Sequence, residues 1–228
     1  GAAMAVNDNT ISATRRRPQQ HRSRMLVASI REACLRILQE GRPEQLTAAR
    51  IAELAGVTIG SFYQYYPNKE AVLLDVLLER APGEAERIAD ETRHIQQLRR
   101  ESLEATLAEL IEVTCERHLR LLALHGEIYR RYHRVIDFHE LVRASVARYV
   151  EVSSWESWMR VLLEEHRADI GAESVEIAAF LAAGTIVEMG ARAVDTAPEW
   201  LGSPLFRAEL LRMLMRYLGA GGDRPSST

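Results

Sequence analysis

A chain of 228 residues with 47% apolar side chains can bury a core, so disorder along its whole length is excluded, and its net charge of −3 speaks against nucleic-acid binding by the chain as a whole. The most apolar run, IAAFLAAGTIV (177–187), holds 11 uncharged residues, short of the roughly 20 a bilayer requires, so no membrane-spanning helix is expected. With no secretory leader at its start and only Cys34 and Cys115, far apart, as small buried hydrophobes, the chain reads as cytoplasmic.

Charge is unevenly placed. Residues 1–80 carry 11 basic and 8 acidic side chains, the remainder 18 and 24. Arg15, Arg16, Arg17, Arg22, Arg24 and Arg31 face only Asp8 in the first 31 residues. A basic leading end on an acidic body suits a polyanionic partner, and a solvated tail explains the same charges equally well. Residues 1–20 lack apolar periodicity and are expected to form a flexible basic arm.

From His21, Leu26, Ile30, Ala33, Cys34, Ile37 and Leu38 recur at helical spacing until Gly41, with Pro43 beyond. Thr47 stands as the N-cap of a second, two-turn helix that Gly56 ends. Thr58 caps a third helix that Pro67 must stop, and Asn68 caps a fourth carrying Val72, Leu73, Val76 and Leu77. Past Pro82-Gly83 the pattern stays helical, broken near Gly126, near Gly171 and across 196–204. No segment shows strand alternation, so the fold class is all-α.

Two short helices joined by Ala55-Gly56-Val57 make a helix-turn-helix, whose second helix enters a DNA major groove. At about 100° per residue Tyr66 follows Phe62 on one face, and Gly60 and Gln64 point the opposite way with Ser61 and Tyr63 on the flanks. Gly60 lets the backbone come close to a partner, and Gln64 suits a base edge, adenine above all. Hydroxyls of Ser61, Tyr63 and Tyr65 suit phosphate oxygens, and Thr47 and Thr58 sit at helix N-termini that favour an anion. Lys69, the only lysine among 29 basic residues, falls in the first turn of the fourth helix, where a cation opposes the dipole unless an anion is near.

The stretch LTAARIAELAGVTIGSFYQYYPNKEAVLLDVL (46–77) resembles the DNA-binding domain of the tetracycline-repressor (TetR) family of bacterial transcription regulators. The resemblance covers about residues 22–80 and rests on the threonine before helix two, I-A-x-x-A-G-V, the glycine after Thr58, the aromatic pairs and N-K-E-A. It implies a three-helix DNA-binding domain over 21–81 and a helical ligand-binding and dimerisation domain over 82–228. The DNA-binding set is expected to be Thr47, Thr58, Ile59, Gly60, Ser61, Tyr63, Gln64, Tyr65 and Lys69. Tyr65 stands where the family often has histidine, and Phe62 where it often has leucine.

Residues 174–194 are apolar nearly all round, so one side is expected to face the chain's own core and the other a second copy, with 204–218 completing a four-helix interface in a homodimer. Cys115, His118, Tyr129, Tyr132, Trp155, Trp158 and Met159, with His133 and Phe138 among them, are the candidate lining of a pocket for an unidentified small-molecule effector, though such stripes also serve as plain core. Cys115 and His118 lack a clear third ligand, so neither a metal nor a cofactor is expected. No G-x-S-x-G, H-E-x-x-H, Walker or G-x-G-x-x-G pattern occurs, which argues against an enzyme. The expected function is a ligand-responsive regulator, most simply a repressor, that binds a palindromic double-stranded operator as a dimer. A non-specific architectural DNA binder is the alternative.

Overall fold

The computed structural model describes residues 21–136 and 154–219. The expected arm over 1–20, and Phe138, lie outside them. Every regular element among the described residues is helical, as the absence of strand alternation predicts.

In chain order the α-helices are α1 (His21–Glu40), α2 (Ala48–Ala55), α3 (Ile59–Tyr65), α4 (Lys69–Glu79), α5 (Glu84–Leu98), α6 (Leu103–His125), α7 (Glu127–Tyr132), α8 (Trp155–Glu165), α9 (Val175–Thr196) and α10 (Pro204–Leu218). They fall into two compact units, one built from residues 21–87 and 127–136, the other from 88–126 and 154–219.

The first unit is organised by local signals. Thr47 Oγ1 accepts from Arg50 N at 3.1 Å, Thr58 Oγ1 from Ser61 N at 3.0 Å and Asn68 Oδ1 from Ala71 N at 2.8 Å, so all three predicted caps hold. Gly56 ends α2 at φ 68°, where a side chain would be strained, and Val57 N then donates back to Ala52 O at 3.0 Å. Tyr66, extended ahead of Pro67, closes α3. Ile30, Cys34 and Ile37 of α1 are buried with Ile51 of α2, Phe62 of α3 and Val72 and Leu73 of α4.

A polar network ties this unit together. Arg31 Nε donates to Asp75 Oδ2 at 3.0 Å, Arg31 Nη1 reaches Glu79 Oε1 at 3.2 Å, and the Tyr66 hydroxyl donates to Asp75 Oδ2 at 2.5 Å. Burial first, then the Asp75 charge, raises the Tyr66 phenol far above its ordinary value, so it stays a donor. The same two causes push the Cys34 thiol up to about 12, which leaves it an inert packing group. Asp75→Ala strands the buried Tyr66 hydroxyl and takes one acceptor from the partly exposed Arg31, and urea unfolding is expected to show a loss of about 2 kcal/mol.

Helix α7 belongs to this first unit, with Tyr129 and Tyr132 fully buried and Arg131 Nη1 donating to Gly41 O at 2.6 Å.

In the second unit α9 packs against α8 and α6, and α10 against α6. Gly190 of α9 permits close approach to α6, because a Cβ there would lie 3.0 Å from His118 Nε2 and 3.2 Å from Thr114 Cγ2. Arg207 of α10 donates to Leu201 O at 2.9 Å and pairs with Glu112 and Glu116 of α6. By length and composition alone α9, with 22 residues and an 18-residue window of mean hydropathy 1.5, passes for a membrane span, a length the 11-residue uncharged run does not reveal. The helix extends through Glu176, Glu188 and Arg192, and its Ala178, Ala179, Ala182, Ala183 and Ile186 are buried in the unit.

Candidate nucleic-acid interface

The third helix separates its side chains as the angular spacing requires. Phe62 and Tyr66 are fully buried, their ring centroids 6.1 Å apart, and Ile59, Gly60, Tyr63 and Gln64 are exposed. Tyr63 packs edge-on against Phe62 at 5.3 Å, which fixes an otherwise exposed phenol on the flank of α3. A Cβ added to Gly60 would meet nothing nearer than Thr58 Oγ1 at 3.8 Å. Glycine is therefore not required there by the chain's own packing, and it costs the helix about 0.5–1 kcal/mol relative to alanine.

Hydroxyl directions add to this face. Thr58 Oγ1 accepts from Ser61 N and gives its proton to Ser61 Oγ at 2.9 Å, which leaves the Ser61 proton to be donated outward. Thr47, exposed, likewise accepts the Arg50 amide and keeps a proton to donate. Lys69 is the first residue of α4, and its Nζ stands 3.9 Å from Glu70 Oε1, too far for a hydrogen bond. Half-exposed and loosely paired, it sits at the positive end of the helix.

Tyr65 departs from the expectation of a free hydroxyl for phosphate. It is 8% exposed, and its hydroxyl donates to Ser23 Oγ of α1 at 3.1 Å. The reason is angular: Tyr65 follows Phe62 by three residues, which turns it toward α1. Its bond draws in a stretch of α1 where Arg22 and Arg24 flank Ser23 and are both exposed. Those two arginines were legible as charge in the sequence, but only this contact assigns them to the α3 edge.

The candidate effector residues are divided between the two units. Tyr129 and Tyr132 pack in the first unit, beside Cys34 and Glu44 in the case of Tyr132, and Cys115, His118, Trp155, Trp158 and Met159 lie in the second. Helix periodicity could not reveal the division, because α6 and α7 are separated by Gly126 alone and belong to different units. Within the second unit Trp155 stacks parallel on Trp158 at 5.3 Å and donates Nε1–H to Ala183 O at 3.3 Å, joining α8 to α9. Cys115 is buried, and its thiol is pushed up to about 11 by burial, with Arg207 opposing.

The sequence pattern described as "Bacterial regulatory proteins, tetR family" matches residues 30–76, from the middle of α1 to the middle of α4. Residues 30–76 thus carry a DNA-binding segment of the TetR type. A curated relative, the fatty acid metabolism regulator protein of Bacillus subtilis (strain 168), is 28% identical over 92 residues, which is 40% of the chain and 43% of the relative. The match thus spans less than half of that relative's length. Among solved structures, the fatty acid degradation regulator FadR from Bacillus halodurans is 18% identical, with 90% of this chain and 98% of that one covered at a TM-score of 0.41. NalD, the secondary repressor of the MexAB-OprM multidrug efflux pump in Pseudomonas aeruginosa, is 20% identical over 86% of this chain and 96% of its own, at a TM-score of 0.42.

Proposed function

We propose that the chain is a regulator of the TetR family that binds a near-palindromic operator as a homodimer and is released from it by a small molecule held in the second unit. One observation carries the DNA-facing part: α3 turns outward a glycine that the chain itself does not need, next to Gln64 and between hydroxyl-bearing flanks. Gln64 reads a base edge in the major groove, and Thr47, Ser61, Tyr63 and Lys69 fix the register on phosphates. Ile59, exposed at the start of α3, suits apolar contact with a thymine methyl group.

Support for the dimer comes from apolar side chains left outward on the last two helices. Ile177, Phe180 and Leu181 form a stripe on α9, and Leu205, Met213 and Tyr217 are exposed on α10. A two-fold axis through such faces places two recognition helices about 34–36 Å, or a multiple of it, apart. An effector that binds more tightly to a wrongly spaced state lowers operator affinity by that difference. The Bacillus subtilis relative is named for fatty acid metabolism, so acyl compounds come first in an effector screen.

Footprinting tests the reading: a protected palindrome relieved by a small molecule supports it, and uniform, salt-sensitive coating supports an architectural protein instead. Lys69→Ala is expected to weaken binding to all duplexes alike and to lower the slope of log K against log salt by about one unit. Gln64→Ala is expected to cost about 1–3 kcal/mol on the operator and little on random DNA. Fluorescence anisotropy titrations at several salt concentrations measure both.

A further inference from the structure

The buried face of α5 carries Ile88, Thr92, Ile95 and Gln96, and Arg99, the residue just past its end, continues that face with its N–H on Ile95 O at 2.9 Å and is buried as well. Thr92 meets its need inside the helix, donating to Ile88 O at 2.7 Å. Gln96 and Arg99 do not. Both are more than nine-tenths buried, yet Gln96 Nε2, Gln96 Oε1 and Arg99 Nη1 have no hydrogen-bond partner among the described residues. Arg99 Nε lies 3.0 Å from Glu165 Oε2 of α8, an ion pair by distance whose N–H is misaligned for a hydrogen bond. The main chain at this point is firmly held, since His166 Nε2 stands 2.7 Å from Arg99 O. Two turns before Glu165 on the same face of α8, Trp158 buries an indole N–H that also lacks a partner.

Three residues apart, Gln96 and Arg99 are neighbours on one helix face. Their unmet groups are two donors and one acceptor, in apolar surroundings where such groups are costly to leave unmade. Resting on the reading of the second unit as the effector-binding body, we propose that Gln96 and Arg99 hold the polar end of the effector, and that this end is a carboxamide on an apolar chain. An amide carbonyl accepts from Gln96 Nε2 and Arg99 Nη1, and the amide N–H donates to Gln96 Oε1. A carboxylate fits less well. It only accepts, which leaves Gln96 Oε1 unmet, and Glu165 already balances the Arg99 charge and repels a second anion.

Thermal unfolding of the full chain with octanamide, and with octanoate at pH 8, tests this in the wild type and in Gln96→Leu and Gln96→Met. Octanamide is expected to raise the wild-type Tm by about 2 °C or more at saturation, and octanoate by less than half as much. Both variants lose the amide increment while unfolding, without ligand, at or above the wild-type temperature, because a buried unmet amide has been replaced by a side chain of similar size. No wild-type increment, an equal increment from octanoate, or increments kept in both variants each overturn the site. A gel shift read separately on operator DNA distinguishes the two layers. Binding through Gln96 without release of DNA keeps the site and rejects the regulatory reading. Release by other acyl compounds, with no octanamide increment, does the reverse.

Discussion

Phe180→Arg is expected to turn the proposed homodimer into a monomer that keeps its helical content, measured by analytical ultracentrifugation and circular dichroism. In the isolated chain Phe180 is 65% exposed, so its replacement removes little of the core and should change monomer stability by no more than about 0.5 kcal/mol. Across a two-fold axis the same residue counts twice. Losing about 2 kcal/mol of apolar burial from each copy raises the dimer dissociation constant about a thousandfold, before repulsion between facing guanidiniums is added. Operator affinity should fall with it, since a single recognition helix engages one half-site. A variant that still sediments as a dimer places the interface elsewhere and refutes the assignment of the α9 and α10 faces.

Gly60→Ala is expected to move stability and DNA affinity in opposite directions. Alanine restores helix propensity at an exposed position with nothing within 3.4 Å of the new methyl group, so Tm should rise by a few degrees, equivalent to about 0.5–1 kcal/mol. The same methyl group stands on the face offered to the groove, where it holds the α3 backbone away from the bases. A separation that breaks one bidentate base contact lowers operator affinity by about tenfold or more, read by fluorescence anisotropy. Glycine at this position is then a residue kept against the interest of the fold. If the variant is more stable and binds operator as tightly as the wild type, α3 is not read at close range and Gly60 has no role in recognition.

Much of the first unit was legible before any coordinates. Thr47, Thr58 and Asn68 each bond an amide three residues on, and Gly56 supplies the single left-handed step between α2 and α3. These interactions close within one helical turn, so residue type and spacing are enough to predict them. The division of α3 into a buried Phe62/Tyr66 face and an outward Gly60/Gln64 face follows from the same periodicity. Tyr65 was harder. Its ring faces α1 and its hydroxyl is spent on Ser23, 42 residues away in sequence, a distance over which spacing carries no information.

The second unit shows where that limit lies. Among the aromatic residues assigned to a pocket by composition, Tyr132 lies near Cys34 and Glu44 in the first unit, and Trp155 and Trp158 stack beside Ala183 in the second, a division that composition does not reveal. Gln96 and Arg99 drew no attention, since a glutamine and an arginine near a helix end read as solvated side chains until neighbouring helices are seen to bury them.

From its order of residues alone, then, the chain determined its all-α class, the caps and stops of its first four helices, the outward face of α3 and its likeness to the TetR DNA-binding domain. Tertiary structure alone decided which buried side chains meet, and which polar atoms are shut away without partners. The physical reason is range: a cap or a helical face is settled by atoms within four residues of one another, whereas burial is set by whichever distant helix comes to lie alongside.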